Sequence, residues 1–276
     1  MQIETIKQII KDKVEGVWEA RHDGSGHRYV HIPSGLYQRS VTTKIGGVIA
    51  KPHLTKWAVK MGVEWLIKDK RYLKLESEHW HDEMINGAQL AHTDTRDDAG
   101  NVGSVAHNAA ERYLNEWLDT GIKPTRSMVA YGINTPDPRS VASMRAIEAF
   151  FGKHEITPIA SEILVGDVKY SAGALDFLAI MDGKLTLIDF KTSNAVDQIG
   201  YSMQVAAYKY FFEAMTGIKI EKCIILHLSK DYDKFEVYKI NALPQAWKIF
   251  KQVCSIYDWM YGTRDKIIKD IKRIKI

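Results

Sequence analysis

The chain has 276 residues, of which 45% are hydrophobic and 26% charged, a composition typical of proteins that bury a full core. Its 38 basic and 34 acidic residues give a formal charge of only +4, so the overall charge does not indicate a nucleic-acid-binding protein, and any basic surface must be local. No apolar run approaches the length needed to span a bilayer, and the charged N-terminus has the pattern of an amphipathic helix. We therefore expect neither secretion nor membrane insertion.

The two cysteines, Cys223 and Cys254, lie in apolar surroundings and lack the spacing of a metal site. We expect both to be reduced thiols in the core of a cytoplasmic protein.

Hydrophobic periodicity and turn residues predict the elements in chain order. The N-terminus predicts an amphipathic helix, residues 27–32 a strand and residues 53–73 a helix with interleaved tryptophans and lysines. Residues 92–104 are polar and predict a break, which is followed by helices over 105–120 and 139–150. Three strands over 161–170, 173–181 and 184–192 precede a helix over 197–216, a strand over 222–229, a helix over 244–262 and a basic amphipathic helix at the end.

This order predicts an α/β core with a mixed central sheet flanked by helices. The polar break divides the chain into an N-terminal helix and strand extension, residues 1–95, and a main domain, residues 96–276, that includes the C-terminal helices.

The dipeptide Asp182-Gly183 predicts a two-residue hairpin turn between the second and third strands of the core. If Met181 faces Lys184, the register places Asp176 directly opposite Asp189. Facing residues have Cβ atoms roughly 4.5 to 5.5 Å apart, and two like charges there destabilise the pair. The register therefore predicts that something compensates the two carboxylates.

A divalent cation is one compensation, because Mg²⁺ takes hard oxygen ligands and is held by one or two carboxylates. Lys191 lies on the same strand face as Asp189, so an ammonium group would stand beside the cation. The alternative is a solvent-facing pair that Lys191 neutralises. The apolar residues on both faces of this strand, Leu185 and Leu187 on one and Ile188 and Phe190 on the other, argue against solvent exposure.

Residues 173–193, GALDFLAIMDGKLTLIDFKTS, resemble the paired "GxxD" and "DxK" strands of the PD-(D/E)xK nucleases, and in particular of their RecB-type branch. QVAAY, at 204–208, is similar to the "QxxxY" helix motif of that branch, and VGSVAHNAAERYL, at 102–114, resembles its histidine-bearing helix. The resemblance implies the restriction-endonuclease-like fold and cleavage of DNA. Leu175 stands where the superfamily's name has proline, as is usual in this branch.

The resemblance implies a set of site residues. Metal ligands would be His107, Asp176, Asp189 and the Phe190 carbonyl, and Lys191 would be the catalytic lysine. Phosphodiester hydrolysis fits this set, because one or two Mg²⁺ ions can activate water and neutralise phosphate charge. Mn²⁺ is expected to substitute. An iron-sulfur cluster, which some relatives carry, needs four cysteine ligands and is excluded by the two present.

Four further residues have open roles. Glu111 shares a helix face with His107 and is either a ligand or a partner that orients the imidazole. Glu162 lies where many relatives have an acid, again as ligand or supporting group. Gln204 and Tyr208 share a helix face, where they either pack in the core or position Lys191 or the DNA strand.

Residues 29–62 resemble, more weakly, the leader of phage-encoded and mitochondrial genome maintenance exonucleases of this branch. Trp57 and Lys60 belong to a helix whose aromatics could stack on bases while its lysines follow the backbone. The alternative is an amphipathic helix with its aromatics in the core. Ser40 and Thr42 could donate hydrogen bonds to a phosphate.

These features predict a Mg²⁺-dependent DNA exonuclease that starts from a free, single-stranded end. We expect it to act in a bacterial or phage-infected cell, in phage replication or recombination, with partner proteins of those processes. The alternatives are a structure-specific or restriction-type endonuclease and a catalytically inactive DNA-binding module.

Overall fold

The protein is described by a computed structural model over residues 2–23, 26–68, 80–132, 137–230 and 233–262. Its centre is a mixed five-stranded sheet with the strand order β4-β5-β6-β7-β8 and helices on both faces. The strands are β4 (Ile156–Asp167), β5 (Ser171–Met181), β6 (Lys184–Lys191), β7 (Lys222–Leu228) and β8 (Phe235–Lys239). The predicted α/β core with a mixed sheet is confirmed.

The hairpin between β5 and β6 has the predicted register. Met181 faces Lys184 and Phe177 faces Ile188. Asp182 and Gly183 both have positive φ, +50° and +76°, as a type I′ turn requires. The next positions along this register are Asp176 and Asp189.

β6 and β7 are parallel and are joined by helix α6 (Gln198–Thr216), so the three elements form a βαβ unit. Gly217, in the left-handed conformation at φ +78°, ends α6 at the predicted residue. The crossover puts α6 over the sheet face that carries Asp189 and Lys191.

Both faces of the sheet are buried. One face packs against α1 (Ile3–Lys13), α6 and α7 (Leu243–Gly262) and includes Leu185 and Leu187. The other packs against α4 (Trp80–Thr120) and α5 (Pro138–Lys153) and includes Ile188 and Phe190. Cys223 and Cys254 are buried free thiols, as expected. The solvent-facing alternative for β6 is therefore wrong.

Residues 18–48 form a small three-stranded sheet and a helix that the sequence revealed only in part. The strands are β1 (Trp18–Asp23), β2 (Gly26–His31) and β3 (Leu36–Arg39), of which only β2 was predicted, and α2 (Val41–Val48) follows. Ser40 forms a bridge with Ala172, and the Ser171 hydroxyl donates to the Arg39 carbonyl at 2.7 Å. The small sheet is thus joined to the start of β5.

The predicted break at residues 92–104 is wrong, because α4 is one helix of 41 residues that runs through it. Its polar residues are held by tertiary contacts: Arg139 binds the Asp98 carboxylate at 2.7 and 3.0 Å, and Lys230 donates to the Ala99 carbonyl at 3.3 Å. The proposed boundary between residues 95 and 96 lies inside this helix.

Helix α3 (Pro52–Lys68) packs on the N-terminal half of α4. The contact is close, since a Cβ on Gly87 would lie 2.2 Å from the Trp65 ring and one on Gly62 would lie 2.9 Å from the Ala88 carbonyl. Residues 69–73, expected to extend α3, and the basic helix expected at the C-terminus lie outside the described residues. In the described part of the chain, no helix is both long and apolar enough to cross a membrane.

Candidate metal centre

Three acidic residues occupy facing positions on three neighbouring strands. Ser161 pairs with Phe177 and Ile163 with Leu175, which sets Glu162 of β4 opposite Asp176 of β5. The β5–β6 pairing extends to Phe177 and Ile188, so Asp176 and Asp189 of β6 are the next positions along the same register. The sheet therefore carries a row of carboxylates, and the Phe190 N–H donates to Asp176 Oδ2 at 2.7 Å across the strand pair.

Glu162 has a left-handed backbone, with φ +50°, in the middle of a strand. A non-glycine residue in this region costs of order 1 kcal/mol and persists only where surrounding contacts hold it. Such outliers concentrate at functional sites.

His107 reaches the same point from α4. Its side chain, together with those of Glu162 and Asp176, offers ligand atoms that all lie within 4.8 Å of one another. Nδ1 of His107 is 4.0 Å from Asp176 Oδ2, and its ring meets Phe190 edge-on with centroids 6.0 Å apart. We call His107, Glu162 and Asp176 the acid–histidine cluster.

Burial and mutual repulsion distort the acid pKa values of this site. Burial, followed by the charges of Asp176 and Glu111, raises the pKa of Glu162 to about 8. Burial also raises the pKa of Asp176, and it raises that of Asp189 to about 6. At neutral pH the protein without metal therefore holds a proton on Glu162, and a bound cation would relieve this repulsion.

Burial and the nearby Lys191 charge lower the pKa of His107 to about 4, while a hydrogen bond with the Phe190 backbone opposes the shift. The imidazole is therefore neutral at pH 7 and has a lone pair to offer. A neutral imidazole is the form that binds metals.

Lys191 forms an ion pair with Asp189, whose side chain is fully buried. Burial lowers the pKa of Lys191, but the charges of Asp189 and Asp176 raise it by more, so the net shift is upward. The ring of Tyr201 lies beneath the ammonium, with Nζ 5.2 Å from the ring centroid. In the protein without metal, Lys191 is therefore held as a cation.

The polar residues of α6 support this pair. Gln204 Nε2 donates to Asp189 Oδ1 at 3.1 Å and to the Tyr208 hydroxyl at 3.3 Å. Burial and the charges of Asp189 and Asp176 raise the pKa of Tyr208 well above its usual value, so it stays a neutral phenol. A Cβ on Gly173 would lie 2.7 Å from the Tyr208 ring, so the glycine makes room for it.

The donors of the acid–histidine cluster fit a divalent cation. Two carboxylates and a neutral imidazole, beside the Phe190 backbone, suit Mg²⁺ through their oxygens and Mn²⁺ through both donor types. Asp189 borders this cluster but is engaged by Lys191 and Gln204. The partly buried carboxylates of Glu162 and Asp176, which repel each other, are the structural reason to expect a cation here.

The remaining predicted site residues lie farther out or in structural roles. Glu111 is close enough for its charge to raise the Glu162 pKa, yet it stands outside the compact cluster of ligand atoms. Ser40 is the N-cap of α2 and accepts from the Thr43 N–H at 2.9 Å, with the Thr42 hydroxyl 3.1 Å away. Their contact with phosphate stays a prediction.

Trp57 and Lys60 lie on α3. Trp57 is half-buried and meets His92 of α4 edge-on, with centroids 6.2 Å apart. Lys60 is exposed and 3.6 Å from Glu64. α3 therefore docks on α4 with its aromatics on the contact side and Lys60 exposed, while Val59, Val63 and Ile67 are exposed as well.

Two residues of the site were missed from the sequence. Tyr201 lies against Lys191, one helical turn before Gln204, a spacing that could have indicated it. Tyr29 of the small N-terminal sheet is buried, and burial, followed by the charge of Glu162, raises its pKa. No local pattern links Tyr29 to the site, because only the tertiary docking of the small sheet brings it there.

No protein-family model matches this chain, and no curated protein matches it. It is similar to a solved structure described as the crystal structure of SSO0001, with 14% sequence identity over 72% of this chain and 85% of that chain. The TM-score of that similarity is 0.25, which carries no argument about fold or function. The architecture therefore rests on the sheet order and register described above.

Proposed function

We propose that this protein is a Mg²⁺-dependent DNA exonuclease with a PD-(D/E)xK core of the RecB type. The observation that carries the proposal is the acid–histidine cluster beside the Asp189–Lys191 ion pair, on a hairpin whose facing acids were expected from the sequence. Two acids and a lysine on adjacent strands are the site residues that the motif resemblance implies. Their intactness argues against an inactive binding module.

In phosphodiester hydrolysis, one set of residues would bind the metal ion and another would stabilise the charge on the phosphate. His107, Glu162, Asp176 and the Phe190 carbonyl would hold the metal ion, which when bound supplies an activated water and neutralises phosphate charge. Lys191, kept protonated by Asp189, would donate to the phosphate oxygens and stabilise the charge that grows in the transition state.

Gln204 and Tyr201 would fix the direction of the lysine. Gln204 binds the far oxygen of Asp189 and Tyr201 supports the ammonium from below, so the ion pair has little freedom to turn. Preorganisation of this kind lowers the cost of stabilising a developing charge.

The proposed need for a free DNA end rests on α3. This helix is docked on the helix that carries His107, so its exposed lysines keep a fixed position relative to the cluster. A wall of lysines ahead of the cluster would admit a single strand by its end and bind it through its phosphates. Binding of that kind depends little on sequence and falls steeply with salt.

The test compares linear and covalently circular single-stranded DNA of one sequence, with Mg²⁺, Mn²⁺ or EDTA. We expect rapid loss of the linear form with either metal, an untouched circle and no reaction in EDTA. Lys191→Ala serves as the control for contaminating nuclease. Circles cut at a comparable rate would replace the exonuclease with the endonuclease alternative, and no cleavage of any DNA would reject the nuclease proposal.

A further inference from the structure

Gly103 marks a close approach between helix α4 and the end of strand β6. The glycine is buried, and a Cβ on it would lie 2.6 Å from Thr192 Oγ1 and 3.9 Å from Thr192 Cβ. Thr192 directly follows Lys191, the last residue of β6. Because glycine has no Cβ, the backbone of the helix can lie against the residue that follows the proposed catalytic lysine.

The same face of α4 carries His107. The histidine follows Gly103 by four residues in one continuous helix, so the two share a face and lie about 6 Å apart along the helix axis. The His107 ring meets Phe190 edge-on, and Phe190 is two residues before Thr192. This face of α4 therefore makes two successive contacts with the end of β6, and the closeness of the first determines how far the imidazole reaches in the second.

Helix α4 is also held from another side beside Gly103. The buried Ser140 hydroxyl of α5 donates to the Val102 carbonyl at 3.0 Å. One turn earlier, Arg139 binds the Asp98 carboxylate at 2.7 and 3.0 Å. A side chain added at Gly103 would therefore disturb a segment of the helix that is fixed both to α5 and to the end of β6.

The contact has little room to yield. Non-bonded heavy atoms in contact are roughly 3.5 Å apart, so a Cβ at 2.6 Å requires the helix or the threonine to move by about 1 Å. Thr192 is β-branched and stiff at χ1, so it does not bend aside as a long side chain would. Metal sites tolerate about 0.2 Å in their ligand distances, so a movement of this size would take an imidazole out of bonding range.

We propose that the contact between Gly103 and Thr192 positions the His107 imidazole at the acid–histidine cluster. Gly103 and Thr192 are positioning residues, because they act on the metal ion only through the histidine. This inference rests on the proposed function, since the metal ion is the one that the proposed hydrolysis requires. The position of the imidazole can nevertheless be measured without any metal.

The test compares Gly103→Ala with Gly100→Ala, its matched control. Gly100 lies three residues earlier on α4, is exposed, and a Cβ on it meets no described atom within 4 Å. Both variants replace a helical glycine with alanine, so both gain the same helix propensity. Mn²⁺ binding by the full chain is measured by calorimetry. We expect about tenfold weaker binding by Gly103→Ala and less than about twofold change in the control.

Removal of the threonine hydroxyl should rescue the alanine variant. With Thr192→Ala, the atom left near position 103 is the Cβ at 3.9 Å, which is an ordinary contact distance. The loss of Mn²⁺ affinity caused by Gly103→Ala should therefore shrink from about tenfold to less than about twofold in the Thr192→Ala background. An alanine that merely destabilised the helix would cause the same loss in both backgrounds.

The imidazole resonances of His107 provide a readout that needs no metal. They are assigned by their disappearance in His107→Gln. The Phe190 ring, 6.0 Å away between centroids, makes their chemical shifts sensitive to a displacement of the histidine. In EDTA at a single pH, Gly103→Ala should shift these resonances, whereas Gly100→Ala should leave them in place.

The two proposals fail separately. No Mn²⁺ binding by the native protein, with the His107 resonances shifted in Gly103→Ala alone, would support the positioning contact and reject the metal-dependent nuclease. Unshifted resonances in Gly103→Ala would overturn the positioning contact, whatever the cleavage result. In a protein that binds Mn²⁺, equal affinities of the two alanine variants, or a loss that persists without the threonine hydroxyl, would overturn it as well.

Discussion

Replacing Glu162 with glutamine tests the acid–histidine cluster most directly, because this carboxyl is the most perturbed group that the structure places among candidate ligands. Its pKa of about 8 in the folded protein, against 4.5 ordinarily, means that the fold at pH 7 must hold a proton that the unfolded chain releases. Because one unit of pKa difference between the folded and unfolded states corresponds to 1.36 kcal/mol, holding this proton at pH 7 lowers the free energy of unfolding by up to about 3 kcal/mol. Glutamine has the shape of the glutamate side chain but does not ionise. We therefore expect the free energy of unfolding of Glu162→Gln to be about 1 to 3 kcal/mol higher than that of the native protein without metal.

The sign of the pH dependence follows from the same linkage. Glu162 binds more protons when folded, so its contribution to stability is complete below pH 4.5 and is lost as pH rises towards 8. His107, whose pKa is lowered from 6.5 to about 4, has the opposite effect below pH 6.5. Since His107 is present in both proteins, the difference in unfolding free energy between the native protein and Glu162→Gln from pH 6.5 to 8 reports mainly on Glu162. Between pH 6.5 and 8, the difference in free energy of unfolding between Glu162→Gln and the native protein should grow by about 1.5 kcal/mol in favour of the variant.

The assay is urea denaturation in EDTA at pH 6.5 and 8, repeated with Mg²⁺. Glu155→Gln is the control, since Glu155 is exposed, directly precedes β4 and loses the same charge. The control should stay within 0.5 kcal/mol of the native protein. Mg²⁺ should stabilise the native protein and the control but have a much smaller effect on Glu162→Gln. A glutamine variant no more stable than the control at pH 8 in EDTA would refute the argument that this acid is held under charge repulsion.

Three further predictions follow from the same geometry. Lys191→Ala should keep oligonucleotide binding within about tenfold while kcat falls by several orders of magnitude in single-turnover cleavage, and near-normal turnover would make the lysine structural. Asp176→Asn should weaken Mg²⁺ binding at least about tenfold in calorimetry, and an unchanged affinity would exclude it as a ligand. Gly87→Ala should push Trp65 off α4 and weaken DNA binding, whereas Gly100→Ala on the same helix meets nothing within 4 Å and should stabilise by up to about 1 kcal/mol. Equal thermal stability and DNA binding of the two alanine variants would contradict the α3–α4 docking.

The parts of the site that were predictable are those fixed by local rules. A turn of Asp182 and Gly183 determines the hairpin register, and the register alone brings Asp176 to Asp189. Strand alternation then places Lys191 beside Asp189. These inferences need no tertiary information, because each depends only on the period of a strand and the geometry of a turn.

The parts that were not predictable depend on contacts between distant segments. The left-handed backbone of Glu162, with φ +50°, is a conformation that no residue pattern signals. The polar segment at 92–104 has the composition of a loop, yet Asp98 and Ala99 are held by Arg139 and Lys230 from elsewhere in the chain. Helix propensity is a weak prior, and tertiary contacts override it here.

Because α4 is one continuous helix, it fixes how its α3-binding face and its His107 side chain are rotated relative to each other. Gly87, which receives α3, and His107, which faces the acids, lie on one uninterrupted rod, roughly 30 Å apart at 1.5 Å per residue. Each residue added between them would turn the two ends by about 100° relative to each other, so a single insertion would turn either α3 or the imidazole away from its partner. Length changes in this stretch are therefore tolerable only in steps close to whole turns, a constraint that a loop in the same place would not create.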